Sequence, residues 1–135
     1  MHRYGLFLTP ARDAFMGGGV RMTTRDFLKI AQMMMNGGRW GGKQIVSASW
    51  AKKSTSPLTI IQNDRKYGYL WYVFEYPYKG RTIATFCAAG NGGQIAMAVP
   101  ELDLAIAFNG GNYSDAASAI PARDYVPQFI LPAVK

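Results

Sequence analysis

Two apolar runs, Ile95–Val99 and Leu104–Phe108, separated only by Pro100-Glu101-Leu102-Asp103, restrict this chain more than any other feature. Neither run alternates apolar with polar residues, so as strands both need cover on two faces. A hairpin of that kind belongs inside a sheet, and the flanking sequence must supply the covers. The chain has the means to do so. A length of 135 residues corresponds to burying roughly 68–70% of the unfolded surface. Hydrophobic residues at 49% against charged residues at 17% exclude intrinsic disorder. Both runs fall far short of the roughly 18 residues of a membrane span, so no span is expected. The apolar run within Met1–Pro10 is too short for a secretory signal.

The covers can be read upstream and downstream. Gly17-Gly18-Gly19 leads to Thr23-x-x-Asp26, a variant capping box whose hydroxyl accepts a backbone N–H and whose carboxylate suits the positive helix end. Phe27, Ile30, Ala31 and Met34 then recur at helical spacing as one buried stripe, and Met33-Met34-Met35 reads as core filling. Asn36-Gly37-Gly38 tolerates the left-handed conformation that ends a helix. Gly41-Gly42 marks a turn, and Ser47 caps a short helix through Ser49–Ala51 that stops before Pro57. Tyr69–Tyr76 and Thr82–Ala88 read as strands joined at Pro77-Tyr78-Lys79-Gly80, and a Pro-interrupted helical segment follows near Ala122–Leu131. The expectation is an α+β fold over residues 1–135, an antiparallel sheet flanked by helices.

Much chemistry is excluded by residue counts. One cysteine, Cys87, and one histidine, His2, leave no disulfide framework, zinc finger or Ser-His-Asp triad around an internal His. No cofactor is expected, and the Asp and Glu residues show neither the pairing of glycoside chemistry nor a spacing suited to a metal. The formal charge of +7 and pI near 9.7 raise nucleic acid as a partner. The cations are scattered, however, with no run beyond two, and the aromatics sit in apolar or alternating segments, so a solvated surface is the better account. Ser49-Trp50-Ala51-Lys52 matches Ser-x-x-Lys, but activation needs a desolvated lysine, and Lys52-Lys53 lies in a short polar helix. Cys87, inside an apolar strand, reads as an inert buried thiol.

The most unusual stretch is Ala88-Ala89-Gly90-Asn91-Gly92-Gly93-Gln94, between two strands. Its small residues permit close approach to the main chain, by a ligand or by other backbone, but taken alone the stretch reads better as a plain glycine-rich turn. It is no phosphate loop, because a strand rather than a helix follows.

Five segments in this order resemble the penicillin-binding-protein-like serine hydrolases, the class C β-lactamase family. They are Met16–Phe27, Asn36–Val46 with Trp50, Tyr67–Tyr72, Gly90–Gln94 and Pro100–Leu104, so the likeness runs over about residues 17–113. The resemblance implies a partial β-lactamase/DD-peptidase-like fold, the C-terminal portion of a serine acyl hydrolase. That family's Ser-x-x-Lys and Tyr-x-Asn motifs precede the matching region, so this chain alone is expected to lack activity. The family's third element, Lys-Thr-Gly or a variant, falls on Ala88-Ala89-Gly90; Gly92-Gly93-Gln94 is the neighbouring placement. The resemblance then makes Ala88, Ala89, Gly90, Asn91, Gly92, Gly93 and Gln94 the substrate-binding strand entry. It makes the Asn91 backbone N–H an oxyanion donor. Ala88 stands where related enzymes carry a cationic Lys, which turns the expectation from β-lactams toward an esterase or an amidase of the aminohexanoate-dimer-hydrolase type. Trp71 and Tyr72 are candidates for an acyl pocket, with core packing as the alternative.

The partners expected are a small ester or amide substrate and the residues that carry the nucleophile, in an extracytoplasmic setting by family resemblance. Sheet edges left open should drive self-association, by edge pairing or by exchange of the N-terminal segment. Two rivals stand beside this reading: a non-catalytic binding or assembly module of the same fold, and a basic nucleic-acid-binding domain.

Overall fold

The computed structural model describes residues 4–15, 18–61 and 65–135. Met1–Arg3, Met16, Gly17 and Gln62–Asp64 lie outside the described residues, and with them His2 and the start of the Met16–Phe27 segment.

The doubly apolar hairpin lies where its composition demands. Strands β9 (Gln94–Val99) and β10 (Leu104–Asn109) pair antiparallel, Val99 opposite Leu104 and Gln94 opposite Asn109. One tight turn over Pro100–Leu102 and a left-handed Asp103, φ 46°, join them. They form one end of a six-stranded antiparallel sheet ordered β10-β9-β8-β7-β6-β5. The other strands are β5 (Thr59–Ile61), β6 (Arg65–Gly68), β7 (Trp71–Tyr78) and β8 (Arg81–Ala89). Every residue from Ile95 to Val99 is buried, because both faces of the sheet are covered.

Helices α1 (Thr24–Met35) and α2 (Ala48–Ser54) cover one face, with Ala31, Met34 and Ala51 against Trp71, Phe86, Ala96 and Ala98. On the other face, Ala122, Val126 and Leu131 pack on Ile83, Cys87, Ile95, Met97, Val99 and Ile106. Full burial of a side chain such as Ile95, Met97 or Val99 stabilises by about 1.5–3 kcal/mol. The fold is thus α+β, with the antiparallel sheet flanked by helices as its residues foretell.

The caps form as the sequence indicates. Thr23 Oγ1 accepts from Asp26 N at 3.1 Å and donates to Asp26 Oδ2 at 3.1 Å, while Lys29 Nζ meets Asp26 Oδ1 at 2.5 Å. At the far end Gly38 N reaches Met33 O and Gly37 N reaches Met34 O, with Gly37 at φ 63°. That is the paired bonding of a Schellman cap, which a residue with a Cβ resists. Ser47 Oγ caps α2 from Trp50 N at 3.2 Å.

Several boundaries differ from the sequence reading. Tyr69 and Leu70 are not in the strand; they form the β6–β7 turn with φ 36° and 74°. Nothing in their residue types announces it, since such turns favour Asn and Gly. Pro77 and Tyr78 extend β7 to a turn at Lys79-Gly80. Pro77 is tolerated because β6 ends its pairing at Val73, so no ladder partner is lost there. Strands β5 and β6 are an addition, both short, and β6 carries Arg65 and Lys66. So are two small hairpins, β1 (Tyr4–Leu6) with β2 (Val20–Met22), and β3 (Arg39–Trp40) with β4 (Lys43–Gln44). The Pro-interrupted segment is a helix of the wider i→i+5 type over Pro121–Ile130, closing with Leu131 N on Val126 O and running on through Leu131–Ala133. Pro127 lacks the N–H of an α-ladder and crowds the preceding turn, so the wider winding accommodates it.

Candidate functional site

The turn that joins β8 to β9 is fastened by its own backbone. Gly90 N donates to Gln94 O at 2.8 Å, and Gly93 N donates to Gly90 O at 3.1 Å. Gly93 takes φ 83°, and a Cβ there would press on the Ser118 backbone, 3.2 Å from its carbonyl oxygen. A neighbouring loop closes on the turn: Gly110 N meets Gly93 O at 3.2 Å and Asn112 N meets Gly92 O at 3.0 Å. Asn91 extends the link, its amide accepting from Ser114 N at 3.2 Å and donating to Ser114 Oγ at 3.4 Å.

Gln94 ties these pieces together. Its Oε1 accepts from Gly92 N at 3.0 Å, while Nε2 donates to Gly110 O at 2.9 Å and reaches Tyr113 Oη at 3.3 Å. One side chain therefore holds both the turn and the loop. Of the four backbone N–H groups from Gly90 to Gly93, those of Gly90, Gly92 and Gly93 have partners. The Asn91 N–H has none among the described residues, and Asn91 is exposed.

The seven candidate residues do not share one surface. Ala89, Gly90 and Asn91 line a groove of about 780 Å³ on the sheet face that carries the C-terminal helix. Its floor includes Tyr72, Phe74, Cys87 and Ile95, its far wall Ser118 and Ala122, and Arg65 and Arg123 stand along it. Alternation along β8 turns Ala88 to the opposite face, against the Trp71 and Phe86 cluster under α1 and α2. Gly92 and Gly93 are buried beneath the loop, and Gln94 is half-buried as its clamp. Trp71 and Tyr72 divide in the same way: Trp71 is core, edge-on to Phe86 at 5.2 Å, while Tyr72 lines the groove under the Arg65 guanidinium, 5.8 Å from the ring centre.

The groove holds a volume typical of small-molecule sites, but its reactive groups are few. Cys87 contributes a wholly buried thiol that burial pushes up to about 12, so it stays protonated and is no nucleophile. Burial likewise raises the Tyr76 phenol, with a smaller contribution from Cys87, and its hydroxyl donates to Ala122 O at 2.8 Å. Ser49 and Lys52 lie exposed on α2, with Ser49 Oγ 3.3 Å from Ser47 Oγ, away from the groove. Among the described residues no cluster of His, Cys, Asp and Glu suits a metal ion, and no helix is long and apolar enough to cross a membrane.

Residues missed by sequence reasoning are Tyr113 and Ser114 of the clamping loop, and Arg65, Ser118 and Arg123 of the groove. The Asn109-Gly110-Gly111-Asn112 run, a second glycine turn directly after a strand, was the available signal for the loop. The groove arginines carried none, because they meet only through sheet pairing and chain return. No protein-family model matches this chain, and no curated protein matches it significantly.

Proposed function

We propose that this chain is the C-terminal part of a serine acyl hydrolase of the penicillin-binding-protein-like type, with a partial β-lactamase/DD-peptidase-like fold. It supplies the oxyanion strand and a wall of the cleft, and its substrate class is an ester or amide. In this reading a serine, a lysine and a tyrosine on residues outside this sequence act as nucleophile, base and acid. The observation that carries the proposal is the unengaged Asn91 N–H, on a turn whose neighbouring donors are all used and whose shape is fixed by Gln94. A donor held still before reaction stabilises charge that develops only on the tetrahedral oxygen, and such a donor is worth about 2.7–4 kcal/mol. The neighbouring placement on Gly92-Gly93-Gln94 would make Ile95 the donor, and Ile95 lies inside β9, paired with Ala89 on one side and Phe108 on the other, which favours Asn91.

A fluorophosphonate probe tests the assignment. The 135-residue chain should remain unlabelled, and the protein encoded with its upstream codons should label at one serine of an upstream Ser-x-x-Lys. Stoichiometric labelling of this chain, at Ser49 or elsewhere, refutes it.

The second reading, a binding module without catalysis, draws on the groove itself: an apolar floor beside two arginines and no activated nucleophile. Upstream codons lacking both motifs would decide for it. Nucleic-acid binding has less in its favour. Lys29, Lys66, Arg81 and Arg123 are engaged in ion pairs, and binding of that kind would have to collapse steeply as salt rises.

A further inference from the structure

The net charge of +7 is not spread evenly along the chain. Between Phe27 and Phe74 stand seven Lys and Arg against one carboxylate, Asp64, whereas the remainder nearly balances its cations with acids. Arg39, Lys43, Lys52 and Lys53 meet no carboxylate among the described residues. Lys52 and Lys53 are exposed on α2, and beside them the β6–β7 turn holds a second anomaly. Its two residues, Tyr69 and Leu70, both keep a positive φ, a backbone that Asn-Gly adopts without strain. Burial does not account for the choice, since Leu70 is 63% exposed and Tyr69 42%. Strain retained at an exposed apolar tip is a mark of function rather than of packing. The tip is continuous with α2: the Tyr69 ring centre lies 4.8 Å from that of the exposed Trp50, and Lys53 Nζ stands 5.6 Å from the Tyr69 ring centre.

We propose that this face, with Leu70 at its apex and Trp50, Tyr69, Lys52 and Lys53 beside it, docks on the surface of an anionic lipid bilayer. Its parts are those of an interfacial contact: an aliphatic side chain to enter the acyl region, rings with a polar edge for the headgroup level, and lysines that reach lipid phosphates. The composition argues against two other occupants. Protein interfaces are depleted in lysine, so further chain of the same protein packed here would have to desolvate Lys52 and Lys53 or supply acids to both. A bilayer leaves their ammonium groups wet among phosphates. Nucleic acid would take the charge and stack on the rings, but it offers Leu70 nothing to enter. The contact is peripheral, needs no membrane-spanning helix, and does not depend on the hydrolase reading.

Co-sedimentation with sucrose-loaded vesicles tests it, for this chain and for the protein encoded with its upstream codons. Vesicles of phosphatidylcholine with about one-third phosphatidylglycerol should bind both proteins, and phosphatidylcholine alone should bind them at least about tenfold more weakly. Lys52→Gln and Lys53→Gln should each lower the partition coefficient by about fivefold, and Leu70→Gly by about tenfold. All three side chains are exposed, and Leu70→Gly relieves backbone strain, so binding lost there is not structure lost. Failure to bind the anionic vesicles overturns the proposal, as does binding indifferent to Leu70→Gly. Binding by this chain but not by the upstream-extended protein overturns it too, because further chain then covers the face. A duplex oligonucleotide that binds more tightly than the vesicles, and equally well with Leu70→Gly, assigns the charge to nucleic acid and likewise overturns it.

Discussion

Replacing Gln94 should loosen the candidate site more than any other single exposed-to-half-buried change near it. The side chain makes three hydrogen bonds, two of good length to Gly92 N and Gly110 O and a longer one to Tyr113 Oη. A net contribution of about 1 kcal/mol for each of the first two, and about 0.5 for the third, gives roughly 2–3 kcal/mol for Gln94→Ala. Part of that loss is the buried Gly92 N–H left without its acceptor. For a chain of this size 1 kcal/mol moves Tm by roughly 3–5 °C, so a fall of roughly 6–15 °C is expected in calorimetry. Gln94→Glu separates the bonds: the carboxylate still accepts from Gly92 N but faces the Gly110 carbonyl with no proton to give. Its protonated form can donate to that carbonyl, so the folded state raises the carboxyl's pKa. The variant should therefore be most stable in acid and weaken as pH rises above about 4.3, the usual Glu value. Tyr113→Phe should cost only about 0.5 kcal/mol, the share of its single long bond. If Gln94→Ala melts within one degree of the unaltered chain, or Gln94→Glu shows no such pH dependence, the clamp is not what holds the turn.

Other outcomes follow from the same geometry. Leu70 occupies φ 74° in a two-residue turn and is largely exposed. Leu70→Gly should raise stability by up to about 1 kcal/mol in urea unfolding, because a left-handed L-residue is strained by about 1–2 kcal/mol and glycine returns part of that in the unfolded chain. Unchanged or lowered stability would count against strain there. Cys87, pushed from its ordinary 9.0 to about 12 by burial, keeps its proton longer in the folded chain than in the unfolded one. Its stabilising effect is full below pH 9 and is lost on the way to about pH 12, at up to roughly 1.4 kcal/mol per pH unit. Cys87→Ala should flatten that slope in alkaline unfolding curves, leaving the smaller slope of the same sign from Tyr76; parallel curves would refute it. Gly38→Ala should cost more than about 2 kcal/mol, since a Cβ at φ 80° would run into the Val46 carbonyl. A variant that folds with unchanged Tm would show that the α1 cap does not need glycine.

The parts of the fold legible in the sequence are those set by local pattern. The apolar runs at Ile95–Val99 and Leu104–Phe108 demand burial on both faces, and the Thr23 and Ser47 caps and the Gly37-Gly38 stop mark α1 and α2 within a residue. What local pattern does not encode was missed. Strands β5 and β6 are short, mixed in polarity, and extended because a neighbour offers a partner, β7 to β6 and β6 in turn to β5. Leu70 adopts a turn that its own residue type disfavours, because the register of β6 on β7 leaves two residues to reverse the chain. In the candidate site the glycine-rich turn is plain from residues 88–94, but its division between two sheet faces follows from strand alternation. The Tyr113–Ser114 clamp, and Arg65 and Arg123 beside the groove, exist only once the chain has folded back.

The most direct measurement is a crystal structure of the protein encoded with its upstream codons, reacted with a phosphonate that mimics the tetrahedral intermediate. The account predicts the phosphoryl oxygen about 2.7–3.1 Å from the Asn91 backbone nitrogen, with Gln94 still bridging Gly92 and Gly110. An adduct whose oxygen is held by other donors, or a phosphonate that reacts with no serine at all, would contradict it.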